Sequence, residues 1–252
     1  DLERGIKQRP HAYTLGRLVA ALGLDAPAAT QLEGAAGRGR AAGLRPARAT
    51  LPIPPTQLLG REQEVRSLTA LLGDPDVRLV TLTGPGGVGK TRLALAAASA
   101  LLDRGAAGVT FIDLTPLRTP ALIPSALGQA LGVTEVPGQP LLETLQAVLR
   151  PEERLLLLDN FEHLSEAALL VAELLAACPR LTILVTSRIP LRLRGEHVIT
   201  VPPLAVPDLD YLPDFASVSQ YPAVTLFCAR ARETKADFAL TVDNAPAVAE
   251  IC

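Results

Sequence analysis

The sequence predicts an α/β fold: a parallel five-stranded sheet with helices on both faces, preceded by a small all-α segment and followed by the start of a helical subdomain. Five short, largely apolar segments alternate with segments of helical periodicity along residues 58–205. Such apolar strands are typical of parallel sheets that are buried on both faces. A glycine-rich loop follows the first strand and precedes a helix, which is where phosphate-binding loops occur.

Composition limits the class of protein. The chain has 252 residues, of which 48% are hydrophobic and 20% are charged, and this is typical of a globular chain with one or two domains. No apolar run reaches the ~18 residues of a membrane span, and the first residues do not form a signal peptide. The three cysteines have no metal-binding spacing, which favours reduced thiols in a cytoplasmic protein. Since the chain contains no Met and begins within a helical pattern, we expect a fragment of a longer protein.

Residues 1–33 have the pattern of a small helical segment. A helix capped by Thr14 carries an apolar stripe of Leu15, Leu18 and Leu22. Together with the LERG run at residues 2–5, this helix resembles the second half of a Cro/repressor-type helix-turn-helix domain. The resemblance implies DNA as a partner of the full-length protein. Because the base-reading helices are absent, we expect the fragment to bind DNA weakly or not at all.

Residues 34–57 are rich in Gly, Ala, Arg and Pro and lack periodicity, which predicts a flexible linker. Residues 1–50 carry a net charge of +4, against −6 for the remainder. The linker arginines therefore either touch DNA phosphates or only keep the linker soluble. After the linker, an amphipathic helix with Val65 and Leu68 on its apolar face precedes the first strand, residues 77–83.

The loop GPGGVGKT, residues 84–91, matches G-x-x-x-x-G-K-[ST], the phosphate-binding P-loop. Its glycines let successive backbone N–H groups point into one concavity, and the N-terminus of the next helix adds partial positive charge. Lys90 can reach the β- and γ-phosphates, and the Thr91 hydroxyl can ligate Mg²⁺. We therefore expect ATP/ADP and Mg²⁺ as cofactors. The predicted nucleotide-binding residues of this segment are Gly84, Pro85, Gly86, Gly87, Val88, Gly89, Lys90, Thr91 and Arg92.

The rest of residues 58–205 continues the alternation of strands and helices. The later strand candidates are 108–114, 154–159, 181–187 and 196–201, and the helix candidates between them are 123–131, 141–150 and 165–178. The pattern changes in residues 206–252, which predict the truncated start of a helical subdomain with helices beginning at Pro222 and Pro246.

Four further residues are candidates for catalysis. Asp159 ends an apolar strand, where an acid can hold Mg²⁺. The next residue, Asn160, can orient water but cannot accept a proton, so Glu162 is the nearest candidate base. Arg188 follows the next strand and either contacts the γ-phosphate or is simply solvated. His11, His163 and His197 lie far apart in the sequence and are interpreted as non-ligands.

Residues 58–252 resemble the NB-ARC-type nucleotide-binding module of STAND ATPases, which are signal-transduction switches. The resemblance rests on the segments LLGREQEV, LVTLTGPGGVGKTRLA, LLLLDNFEHL and ILVTSRIPLRLRGEHVITVPPL. It implies that Gly60 and Arg61 lie near the adenine and that Arg188 is a sensor for the γ-phosphate. It also implies that the strand ending at Arg188 separates the P-loop strand from the Asp159 strand. Asn160 departs from relatives that have a second acid at that position.

These observations favour an ATP/ADP-binding signal-transduction switch that controls a DNA-binding transcriptional regulator, with slow or no ATP hydrolysis. The expected partners are a missing C-terminal sensor or repeat domain and a second copy of the chain in a nucleotide-dependent homo-oligomer. No association with a membrane is expected. One alternative is a P-loop kinase or other phosphotransferase acting on a small molecule. Another is a nucleotide-bound scaffold without hydrolysis, because Asn160 replaces the expected acid.

Overall fold

The computed structural model describes residues 51–252 except 107, 135–137 and 210–213, and all of these belong to one compact unit, Ala47–Cys252. The predicted helix-turn-helix remnant, His11 and most of the predicted linker lie outside the described residues. Among the described helices, none combines the length and apolar character that a membrane span requires.

Within the described residues, five strands form one sheet in which every pairing is parallel. The strands are β1 Leu79–Thr83, β2 Val109–Asp113, β3 Arg154–Asp159, β4 Leu181–Thr186 and β5 Glu196–Thr200. Their order across the sheet is β2-β3-β4-β1-β5, so β4 separates β1 from β3. This confirms the predicted five-stranded parallel sheet and places the carboxyl ends of β1, β3 and β4 side by side.

Helices surround the sheet and continue after it. They are α1 Glu62–Leu72, α2 Lys90–Asp103, α3 Ile123–Leu131, α4 Leu141–Leu149, α5 Ala168–Ala177, α6 Phe215–Val218, α7 Pro222–Thr234 and α8 Ala245–Ile251. Short 3-10 segments lie at Pro120–Leu122 and Phe161–Ala167. The sequence did not predict α6, which is too short for periodicity and begins after a capping Asp214 whose Oδ1 accepts a hydrogen bond from Ser217 N at 2.8 Å.

The segment after β3 differs from its prediction. A regular helix was expected from residue 165, but Phe161–Ala167 is 3-10, with a kink at Leu164 (φ −121°, ψ 29°). Phe161, Leu164 and Ala167 are all buried. Residues three apart lie on one side of a 3-10 helix, so this spacing puts all three into the core. The regular helix therefore begins only at Ala168.

Each face of the sheet has its own core. Along β3, Leu156 and Leu158 pack with α3, α4 and α5, whereas Leu155 and Leu157 pack with α1 and α2. This alternation follows from the two-residue period of a strand. It confirms that helices cover both faces. The edge strand β5 is different, because Val198 and its neighbours are partly or largely exposed.

The two ends of the described chain pack against this domain. Leu51 contacts the core on the α2 side, and the Arg92 guanidinium donates hydrogen bonds to the hydroxyl and the carbonyl oxygen of Thr56. The last residues of the predicted linker are therefore in contact with the domain. At the other end, α6, α7 and α8 enclose a small separate core that includes Val224 and Val248.

Candidate functional site

The loop between β1 and α2 has a backbone shape that only glycine adopts easily. Gly84, Gly87 and Gly89 have positive φ angles of 146°, 78° and 98°. A Cβ atom on Gly84 would also lie only 2.8 Å from the carbonyl oxygen of Val201. The glycines of the motif are therefore required by the geometry, because side chains at these positions would strain the loop or collide with the segment that follows β5.

Lys90 is the first residue of α2 and is mostly buried within the loop. Its Nζ donates hydrogen bonds to the carbonyl oxygens of Gly84 and Pro85, each at 2.9 Å. Carbonyl oxygens orient the ammonium without neutralising its charge. The lysine is thus held over the loop as a point charge, ready to attract an anion.

Asp159 lies at the end of β3 with two hydroxyl groups directed at one of its oxygens. The Thr91 hydroxyl donates to Oδ1 at 2.8 Å, and the Thr186 hydroxyl donates to the same oxygen. Asp159 is only 3% exposed, so both hydrogen bonds form in a desolvated setting. The donor set suits Mg²⁺, which binds one or two hard protein oxygens and completes its shell with water and phosphate. Asp159 and Thr91 are the residues that would hold this ion.

Asn160 supports Asp159. Its φ angle is 60°, a left-handed conformation that Asn tolerates better than most residues. Its Nδ2 donates to Asp159 Oδ2 at 3.1 Å and to Thr115 Oγ1 at 2.8 Å, while its backbone N–H donates to Thr186 Oγ1 at 3.0 Å. The Asn160 amide therefore holds the carboxylate oxygen that Thr91 does not contact.

Glu162 and Arg188 form an ion pair beside the loop. The distance from Arg188 Nε to Glu162 Oε1 is 3.2 Å, and the second Glu162 oxygen is buried without a hydrogen-bond partner among the described residues. A Cβ atom on Gly86 would lie 3.7 Å from Nη2 of Arg188, so the guanidinium borders the P-loop. The candidate base and the candidate sensor are thus in contact with each other.

A cavity of about 500 Å³ adjoins the loop, and its walls come from both ends of the domain. Its lining combines loop residues with an apolar surface that includes Leu59, Leu204 and Leu226. An apolar slot next to a phosphate-binding loop fits the planar base of a nucleotide. The sequence did not predict the contribution of Leu204 and Leu226.

Gly60 and Arg61 shape this cavity. Gly60 has a φ of 65° and lies against Pro222, where α7 begins. Arg61 is 4% exposed and donates hydrogen bonds to the Pro202 carbonyl and to Glu64 Oε1, the latter at 2.8 Å. Burial acts to raise the pKa of Glu64, but the Arg61 hydrogen bond and charge lower it overall. The hydrogen bonds of Arg61 therefore go to the protein that surrounds the cavity, and they hold the cavity's lining in place.

Two further residues discussed from the sequence, Arg92 and His163, lie away from the contacts around Lys90 and Asp159. Arg92 is held by Thr56 and lines the same cavity. His163 Nε2 is 3.1 Å from the carbonyl oxygens of Leu114 and Leu117, so its ring bridges backbone rather than side chains. The contribution of Thr186 was missed, because only the pairing of β3 with β4 brings it beside Asp159.

Comparisons with known proteins find a family match in the central region of the chain. Residues 76–198 match the family model described as "AAA domain". A Mycobacterium tuberculosis protein provisionally named as an HTH-type transcriptional regulator is 42% identical over 176 residues, covering 69% of this chain and 18% of that protein. A second, uncharacterized protein of the same organism is 38% identical over 198 residues, covering 78% of this chain and 47% of that protein. The chain thus matches less than half the length of either relative.

Solved structures agree with the fold. The ORC1 protein of Aeropyrum pernix, solved in complex with DNA, has a TM-score of 0.50 and 22% identity, covering 72% of this chain and 56% of that one. Cdc6p from Pyrobaculum aerophilum has a TM-score of 0.50 and 18% identity, covering 74% and 65%. These likenesses support the α/β P-loop NTPase fold. The NB-ARC assignment and the helix-turn-helix remnant stay predictions.

Proposed function

We propose that this chain, whose residues 76–198 form an AAA-type P-loop ATPase domain, is the nucleotide-binding switch of a transcriptional regulator. It binds ATP or ADP together with Mg²⁺ and hydrolyses ATP slowly or not at all. The observation that carries the proposal is the convergence of Lys90, Thr91, Asp159 and Arg188 on one loop at the carboxyl ends of β1, β3 and β4. Ligands of open α/β sheets bind at this edge.

Binding follows from the loop and the cavity together. Backbone N–H groups of residues 86–91 and the N-terminus of α2 attract the phosphates, and Lys90 exchanges its carbonyl partners for phosphate oxygens. The base enters the apolar slot beside Leu59, Leu204 and Leu226. Thr91 and Asp159 would hold Mg²⁺, which when bound would neutralise charge on the phosphate oxygens.

Slow hydrolysis follows from the surroundings of the attacking water. Asn160 uses its amide hydrogens on Asp159 and Thr115, and an amide cannot act as a base. Glu162 is the available carboxylate, but it can act as a base only while Arg188 has left it for the γ-phosphate. A positioned general base contributes about 10²–10⁴-fold, so we expect roughly one turnover per minute or fewer.

The switch consists of a competition for Arg188. With ADP bound, the guanidinium stays on Glu162; with ATP bound, the γ-phosphate beside Gly86 attracts it. In this proposal the domain acts as a signal-transduction switch, as its resemblance to NB-ARC modules of STAND ATPases implies. The position of Arg188 then governs whether the chain forms a nucleotide-dependent homo-oligomer. The Mycobacterium tuberculosis relative is named as an HTH-type transcriptional regulator, which supports DNA as a partner of the whole protein. We place the protein in the cytoplasm.

Calorimetry with Mg·ADP tests the proposal. Lys90→Ala removes the cation held over the loop, and we expect at least a hundredfold loss of affinity, since charge-assisted hydrogen bonds to phosphate are the strong ones. The matched control is Lys235→Ala, which removes a charge from the exposed end of α7. Equal affinities in wild type and Lys90→Ala would contradict nucleotide binding at this loop.

A further inference from the structure

A second cavity, of about 350 Å³, lies at the edge of the sheet opposite to the phosphate loop. Its lining includes residues at or next to the starts of β1, β2, β3 and β4. Three arginines, Arg78, Arg154 and Arg180, contribute to it, against the carboxylates of Asp74 and Glu153. The nucleotide site uses none of these residues, so the positive charge of the cavity needs its own explanation.

Arg154 is the unusual member of this group. Its residue is 6% exposed, and its Nε is buried without a hydrogen-bond partner among the described residues. Nη1 donates to the Thr110 hydroxyl at 2.9 Å, and no described carboxylate forms an ion pair with the guanidinium. Burial lowers the pKa of Arg154, while the charge of Glu152 opposes this. A buried cation without an anionic partner is costly, which indicates that something else compensates it.

The absence of a side chain at Gly108 leaves room for the Arg154 guanidinium. A Cβ atom on Gly108 would lie 3.0 Å from Cζ and from Nη2 of Arg154, so a larger residue would displace the group. Gly108 is also fixed by the hydrogen bond that its carbonyl accepts from Leu155 N at 2.9 Å. The guanidinium therefore lies on a rigid surface, which is the condition for a specific contact.

The other two arginines add charge without filling the cavity. Arg78 donates to the carbonyl oxygens of Leu175, Cys178 and Leu181, none of which carries a charge. Arg180 forms an exposed pair with Glu153 at 2.9 Å. Both ends of that pair are more than half exposed, so the pair is weak and can be rearranged.

We propose that this cavity binds a small oxyanion, a phosphate or a carboxylate, against the guanidinium of Arg154. Arginine's planar set of donors matches both groups, and a ligand oxygen would accept a hydrogen of Nη2, which has no hydrogen-bond partner among the described residues. The volume lies at the lower end of the ~300–1,000 Å³ of small-molecule sites, which excludes a large ligand. This site is independent of the P-loop and would hold its ligand whether or not a nucleotide is bound.

The experiment uses the 252-residue chain with Lys90→Ala, because the P-loop itself attracts phosphate. Inorganic phosphate and succinate are titrated separately against sodium chloride of equal ionic strength. The readouts are the melting temperature and the ¹H–¹⁵N resonance of Arg154 Nε, assigned by its loss in Arg154→Gln. We expect one of the two anions to shift this resonance and raise the melting temperature, and the responding anion identifies the ligand class.

Variants separate a built site from a general salt effect. In the same background, Arg154→Gln should weaken anion binding about tenfold or more, because hydrogen bonds to charged groups are strong. Arg180→Ala, an exposed change that the fold tolerates, should weaken it about two- to fivefold. Arg66→Ala, exposed on α1 and outside the cavity, should leave it unchanged. The proposal is overturned if neither anion moves the Arg154 resonance, or if Arg180→Ala and Arg66→Ala behave alike.

Discussion

Arg188 Nε lies 3.2 Å from Glu162 Oε1, so the arginine beside the phosphate loop forms an ion pair with the candidate catalytic base. The side chain of Arg188 is 66% exposed and that of Glu162 is 23% exposed. The arginine can therefore move at little cost, whereas the carboxylate stays in place. A γ-phosphate that attracts Arg188 would at the same moment leave Glu162 free to accept a proton, which couples nucleotide sensing to hydrolysis.

Glu162→Gln tests the carboxylate. Glutamine keeps the shape but cannot accept a proton, so we expect phosphate release in a single turnover to fall by about 10²-fold or more, with Mg·ADP affinity unchanged. Glu166→Gln, an exposed change in the same 3-10 segment, is the control. If Glu162→Gln hydrolyses ATP at the wild-type rate, Glu162 is not the base. If the wild type releases no phosphate, the chain is a nucleotide-bound scaffold instead.

Arg188→Ala tests the sensor. The guanidinium borders Gly86, on the loop that we propose holds the phosphates, so its loss should weaken ATP binding about tenfold and leave ADP binding nearly unchanged. Titrations with ADP and a non-hydrolysable ATP analogue measure both affinities. Arg194→Ala removes an exposed arginine of the following loop and should change neither. Equal losses for the two nucleotides would show that Arg188 does not distinguish them.

Asn160→Asp tests the support of Asp159. The present amide donates to Asp159 Oδ2 at 3.1 Å, whereas a carboxylate would lose that donor and repel the buried acid. We expect the free energy of unfolding to fall by about 1–3 kcal/mol without ligand, and Mg²⁺ with ADP to restore part of it by neutralising the pair. Urea denaturation with and without Mg·ADP measures both effects. An unchanged stability without ligand would mean that the Asn160 amide does not hold Asp159.

The sequence predicted most of this sheet because its local signals were unambiguous. The run of four leucines from Leu155, ended by an acid, gave the bounds of β3 correctly, and the glycine motif located the turn before α2. Periodicity failed after β3, where packing of Phe161, Leu164 and Ala167 at a spacing of three overrode the helical pattern.

The candidate site was predictable only in part, because its contacts join distant segments. Thr186 and Asp159 are 27 residues apart and meet only because β3 and β4 are neighbours. The pairing of Glu162 with Arg188 depends on the same neighbours. Motif spacing therefore identifies single residues, whereas their partners require the order of the strands.

Gly60→Ala tests whether the contact between the first segment and α7 shapes the nucleotide cavity. An alanine methyl there would lie 2.3 Å from Cβ of Pro222, which is fixed at the start of a helix, and the φ of 65° adds backbone strain. Gly132→Ala is the matched control, since its φ is 69° but nothing lies within 4 Å of the added methyl. Both variants lose the same backbone freedom, so their difference measures the collision alone. We expect Gly60→Ala to lower the free energy of unfolding by about 1–3 kcal/mol more than Gly132→Ala.

Nucleotide affinity distinguishes a local collision from a change in the cavity. Leu59 and Arg61, on either side of Gly60, line the cavity together with Ala223 and Leu226 of α7. Pushing the two segments apart widens the apolar slot, so Gly60→Ala should weaken Mg·ADP binding about tenfold, and Gly132→Ala should not. Calorimetry at a temperature where both variants are folded makes the comparison. If Gly60→Ala is destabilised but binds ADP like the wild type, the base does not occupy the slot between the loop and α7.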